Sequence, residues 1–122
     1  MRKAIFITLT LVLGLFINVT VAQDAKTIQL EQTTGEFTIQ SLTLTEGTYV
    51  FEISNNGIDH EVGFVLAPKG KTDADHHIKE AYVQKTIKDG ESSTSKVVTL
   101  TKGEYVYFCP LNPTPQYSIT VK

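Results

Sequence analysis

The residues best equipped for chemistry in this chain are one thiol and three imidazoles: Cys109, His60, His76 and His77. Cys109 is the only cysteine, so no disulfide can form within the chain. The run Gly103-Glu104-Tyr105-Val106-Tyr107-Phe108-Cys109-Pro110 alternates as a strand does and delivers the thiol to a proline-rich loop. Thiolate and imidazole together suit copper or zinc, and a soft thiolate with few further ligands favours copper(I). The bland alternative is a small hydrophobe filling the end of a core, since free cysteine is among the most buried residue types. An odd cysteine can also pair with a second molecule or act as a reactive thiol, although no second cysteine is present to resolve a disulfide.

His76 and His77 stand in Asp73-Ala74-Asp75-His76-His77-Ile78-Lys79-Glu80. Adjacent helical residues point roughly 100 degrees apart, so the two rings read as a solvated face. The sharper alternative is that one of them adds an imidazole to His60 and Cys109, or builds a surface site with Asp73 or Asp75. Glu61 follows His60 directly and, in a strand, faces the other way. A surface role, or a hydrogen bond that orients a loop, is its expected use. No serine sits in a Gly-flanked nucleophile turn, and no acidic pair or phosphate-cradling glycine loop is visible, so an enzyme is not expected.

These groups need a scaffold. Arg2 and Lys3 precede an uncharged apolar run, 4–21, that ends at Ala22 and turns polar at Gln23-Asp24. This is the pattern of a secretory leader, 1–22, and it predicts a periplasmic or secreted domain, 23–122. The alternative is an uncleaved anchor, because the run approaches bilayer length. Removing Arg2 and Lys3 leaves 9 basic against 13 acidic residues, a formal charge of −4 in place of −2. With scattered lysines and no basic run interrupted by aromatics, nothing supports nucleic-acid binding.

Along the remaining chain short alternating segments follow one another. Strands are predicted over 27–31, 36–44, 48–54, 61–66, 96–100, 103–109 and 117–122. Tyr49, Phe51 and Ile53 share one face, and Asn55-Asn56-Gly57 signals a turn. The stretch 72–85 alone has helical character, with Thr72 or Asp73 as N-cap and Ile78, Ala81 and Tyr82 on one side. Gly63, inside a strand, suggests a bulge or a close backbone approach near the cysteine loop. Tyr105, Tyr107 and Phe108 have the spacing of packing residues. Seven or eight short strands with frequent turns and one short helix or helical turn predict an all-β, two-sheet sandwich.

Asn-Asn-Gly-Ile-Asp-His ending at His60 and Tyr-Val-Tyr-Phe-Cys-Pro around Cys109, in a chain of this strand count, resemble the cupredoxins, the small blue copper proteins. The resemblance implies a Greek-key sandwich with one copper ion at one end, electron transfer as the default role, and a redox or copper-handling protein as partner to a monomer free of the membrane. By position, His60 matches the upstream imidazole ligand and Cys109 the thiolate. The family also expects a second histidine and usually a methionine after the cysteine. Here the loop reads Pro110-Leu111-Asn112-Pro113-Thr114-Pro115-Gln116-Tyr117, and the only methionine is Met1. Asn112 stands where a short loop would place the histidine. Gln116 is the remaining candidate, as an axial amide ligand. Copper(I) carriage through His60 and Cys109 fits such a set better than repeated redox cycling. The other reading is a sandwich that has lost its metal and serves as an interaction module.

Overall fold

The computed structural model describes residues 25–122. The expected leader, 1–22, lies outside the described residues. Among the described residues nine strands appear: β1 (Lys26–Thr33), β2 (Glu36–Phe37), β3 (Ser41–Leu44), β4 (Gly47–Asn55), β5 (Val65–Pro68), β6 (Ser92–Thr94), β7 (Val98–Leu100), β8 (Gly103–Phe108) and β9 (Tyr117–Val121). One sheet runs β2-β1-β4-β6, with β7 also paired to β4, and the other runs β3-β9-β8-β5. The chain changes sheet five times, so neighbours in sequence face each other across the core and the expected all-β sandwich is formed. Two pairs, β1 with β4 and β3 with β9, are parallel.

Period-two patterning builds the core. In β4 the buried residues are Tyr49, Phe51, Ile53 and Asn55, every second position. Opposite them lie Phe64, Leu66, Tyr107 and Ile119, all at or below 2% exposure. Phe37 sits among aromatic edges, its ring centre 5.1 Å from Tyr107, 5.9 Å from Tyr117 and 6.1 Å from Phe64. Each such pair contributes about 0.5–1.5 kcal/mol beyond area burial. The Tyr107 hydroxyl donates to the Ile39 carbonyl. Burial, with Tyr117 nearby, pushes its pKa up to about 12. Tyr105 and Phe108 are half-buried, so the aromatics of β8 are packing residues as expected.

Three predicted elements differ from the sequence reading, and a fourth element, β6, is not foreseen by it. The predicted 36–44 strand is split into β2 and β3, which belong to different sheets. The predicted 61–66 strand pairs regularly only from Val65 onward, because 61–64 joins the fold through a single bridge, Val62 with Ile87, and through the cysteine loop. The helical stretch is two single 3-10 turns, Ala74–His76 and Lys79–Ala81, neither with a side-chain N-cap bond. Its backbone is spent on the sandwich instead, with Ile78 N–H donating to the Leu66 carbonyl at the edge strand β5.

Candidate functional site

Strand β8 ends at Phe108, and Cys109 is the first residue beyond it, 1% exposed. Its loop begins by turning back on itself. Thr114 Oγ1 accepts from the Cys109 N–H at 3.0 Å, and Thr114 N–H reaches the Cys109 carbonyl at 3.4 Å. The sulfur takes two main-chain donors, Gly63 N–H and Asn112 N–H, each at 3.3 Å. Two N–H dipoles thus converge on one sulfur, the polarity that a metal-bound thiolate calls for in its outer shell. The expected close approach at Gly63 is realised. A Cβ there would meet Leu111 Cδ1 at 3.9 Å, so the loop lies against this residue.

Asn112 has no free end. Its Nδ2 donates to Gln32 Oε1 at 3.0 Å and to the Thr33 carbonyl at 2.9 Å, while Oδ1 accepts from Gly35 N–H at 2.7 Å. Gln32 Nε2 donates in turn to the Gly63 carbonyl at 2.7 Å. Gln32, Gly63, Cys109 and Asn112 therefore close a ring in which each member is bonded to the next. Gln32 and Asn112 are 0% and 2% exposed, and burial of two amides is tolerable only because the ring satisfies them. Sequence reasoning singled out Asn112 as a stand-in for a ligand and missed Gln32. The signal was present: two residues after buried Leu30, Gln32 puts an amide on the core face of β1.

His60 is placed differently. It is exposed, its Nδ1 lies 3.1 Å from the Glu61 carbonyl, and it shares a surface hollow with Asp59, Glu61, Lys88 and Asp89. Its carbonyl is held by buried Asn55, whose Nδ2 also reaches the Ile58 and Ile87 carbonyls and whose Oδ1 accepts from Ile58 N–H. Among the described residues no hydrogen bond joins His60 to Cys109. Gln116 is exposed, one residue before β9. Glu61 accepts from Thr86 Oγ1, the loop-orienting use expected of it.

The other two imidazoles are occupied. His77 is half-buried, with Nδ1 2.7 Å from the Tyr82 hydroxyl and Nε2 2.8 Å from the Thr72 carbonyl. His76 is exposed and pairs with Asp73 at 2.9 Å, and this hydrogen bond holds the Asp73 carboxyl below its ordinary range. Among the described residues no group of three or more His, Cys, Asp and Glu comes together to hold a metal. The donor set thus does not fit a trigonal blue copper(II) centre, which needs two imidazoles beside the thiolate. What the chain offers a soft ion is one sulfur under two N–H donors and one imidazole three residues before Gly63.

The model of a cupredoxin-like domain matches residues 4–121. Among solved structures the chain is similar to auracyanin B, at 19% identity over 80% of this chain and 89% of that one, with a TM-score of 0.65. It is also similar to auracyanin A, described as a "blue" copper protein from the green thermophilic photosynthetic bacterium Chloroflexus aurantiacus, at 17% identity over 79% and 98% of the two chains and a TM-score of 0.64. A third is dithionite-reduced auracyanin from the photosynthetic bacterium Roseiflexus castenholzii, at 17% identity over 80% and 98% and a TM-score of 0.62. At these identities the likeness is one of fold. No curated protein sequence matches the chain.

Proposed function

The chain belongs to the cupredoxin-like family, and on that premise we propose that it is an exported protein that carries copper(I), one ion at a time, through Cys109 and His60. The observation that carries this reading is the sulfur of Cys109, buried beneath the loop and met by two main-chain N–H donors. The missing second imidazole argues for carriage over electron transfer. Copper(I) accepts two or three soft ligands, whereas a cycling blue centre needs a fixed His-His-Cys set in both oxidation states. Gln116, exposed at the end of the loop, is available as a weak additional ligand. When bound, the ion would supply affinity for a thiolate on a copper-handling partner. The residues of this chain hold the sulfur, keep water from it and present the imidazole at the surface.

A second reading is favoured by the amide ring, which satisfies this end of the sandwich without any ion: a metal-free member of the family that acts as an interaction module. One titration separates the two. Reduced protein lacking residues 1–22 is titrated with copper(I) against a competing chelator, alongside Cys109→Ala and His60→Ala variants. Uptake of one equivalent by the wild type, none by Cys109→Ala and a weakened complex with His60→Ala is the expected result. A folded wild type that never competes for copper(I) overturns carriage in favour of the module. An intense thiolate-to-copper band with copper(II) overturns it in favour of electron transfer.

A further inference from the structure

We propose that Gln32 and Asn112 are the latch of the cysteine site: the amide ring holds the 110–116 loop shut over Cys109, and its opening sets how fast any soft metal ion or electrophile reaches the sulfur. The geometry has three parts. First, the thiol is at 1% exposure although it lies outside any strand, while Leu111 and Gln116 in the same loop are exposed. Beyond its packing in the buried core, the thiol is covered by the loop, whose Asn112 N–H bonds the sulfur. Second, the hold is concentrated in one side chain. Asn112 makes all three of its side-chain bonds to β1 and the turn after it, at Gln32, Thr33 and Gly35, residues about 80 positions away in sequence. Third, the amide orientations are fixed. Turning the Asn112 amide over would set an NH2 against the Gly35 N–H and an oxygen against two acceptors, Gln32 Oε1 and the Thr33 carbonyl.

The latch has two discrete states. Closed, every amide of the ring is paired. Open, Asn112 and the loop face water, and Gln32 keeps its bond to the Gly63 carbonyl, so β1 and the 58–63 segment stay in place. Asn112 is thus a positioning residue that acts through the loop, and it is not itself a ligand. The latch rests on the carriage reading only for the identity of what it admits, and its test contains no copper. Failure of the latch leaves copper binding open, and absence of copper binding leaves the latch standing.

The test is the rate at which Cys109 of the native, reduced protein reacts with an excess of an aromatic disulfide reagent, followed by release of the coloured thiol at a series of low urea concentrations. Opening of the loop exposes little surface, so the wild-type rate should be flat in low urea, whereas global unfolding would give a rate that climbs with urea. Asn112→Ala removes three bonds from the closed state and should raise the flat rate roughly 100-fold. Gln32→Leu removes the support of Asn112 from below and should raise it roughly 10-fold. Leu100→Ala serves as the control. Leu100 is a core residue paired with Gly47, at the far end of β4 from Asn55, and its loss should destabilise the fold without moving the flat rate. An Asn112→Ala rate equal to wild type overturns the latch. So does an accelerated rate that follows global unfolding at every urea concentration, or an equal acceleration by Leu100→Ala.

Discussion

Replacing Asn55 tests whether the segment that carries His60 is positioned by one amide. Asn55 is 2% exposed, donates to the Ile58, His60 and Ile87 carbonyls at 3.2, 3.1 and 3.1 Å, and accepts from Ile58 N–H at 3.0 Å. The Ile87 carbonyl has a second donor, Val62 N–H, and loses least. Asn55→Ala leaves the Ile58 N–H and two carbonyls short of partners, at about 1–3 kcal/mol for each group that water fails to reach. Because His60 beside them is exposed, part of this is recovered by hydration, and the net loss should be about 3 kcal/mol. For a domain of this size that lowers the melting temperature by about 12–24 °C. Asn55→Asp is the sharper probe. It keeps the shape and the acceptor for Ile58 N–H but aims a carboxylate at three carbonyl oxygens. At neutral pH it should be at least as unstable as the Ala variant. Its folded carboxyl is raised above the unfolded value, so the stability it retains lies at low pH and is lost as pH rises through the raised value. Urea unfolding of the reduced protein at acid and neutral pH reads both effects. An Asp variant within about 0.5 kcal/mol of wild type at neutral pH would refute the idea that donors, and not shape, hold this segment.

The phenol of Tyr107 gives an alkaline signature. Its pKa is raised to about 12 from 10.0 by burial and by Tyr117, so its contribution to stability is complete below pH 10 and is lost as pH rises towards 12. Tyr107→Phe should flatten that slope in urea melts, at a cost of about 1 kcal/mol near neutrality from the unpaired Ile39 carbonyl. Two glycines of the site should separate in the same assay. Gly35 has φ +76 and open space around it, so Gly35→Ala should cost about 1–2 kcal/mol through backbone strain alone. Gly63 lacks that strain and a Cβ would touch Leu111 at an ordinary 3.9 Å, so Gly63→Ala should stay within about 0.5 kcal/mol, and the reverse order would contradict the geometry.

What was legible in the sequence follows the range of the signals. The alternation of Tyr49, Phe51 and Ile53 is local, and so are the strand that leads to Cys109, which stops one residue short of it, and the approach at Gly63. Strand β6 was missed because Ser92–Thr94 carries no apolar residue, and it pairs with β4 through its backbone. The helical spacing of Ile78, Ala81 and Tyr82 was real, but it is carried by a single 3-10 turn, with Ile78 as its N-cap and Ala81 as its last residue, both packed on the sandwich. Asn55 read as the start of a turn and is the last residue of β4, because its side chain folds the following segment back on the strand. The amide ring was out of reach for a different reason. It joins residues 31, 46 and 80 positions apart, and periodicity carries no information at those distances.

The two buried amides that organise this end of the molecule are not independent features. In the parallel ladder of β1 and β4, Gln32 and Asn55 are register partners, the last pair of that ladder. Asn55 holds the His60 carbonyl and Gln32 holds the Gly63 carbonyl, so one pair of side chains fixes the segment between them at both ends. Asn56 N–H donates to the Gln32 carbonyl and ties the pair together at the main chain. Through Asn112 the same floor reaches the cysteine loop. A one-residue slip of β1 would turn Gln32 to solvent and bring Glu31 or Thr33 to the core, breaking both connections at once. The register of a single parallel pair therefore sets where His60 stands, how Cys109 is covered and whether the two can ever meet, without either residue taking part in the ladder.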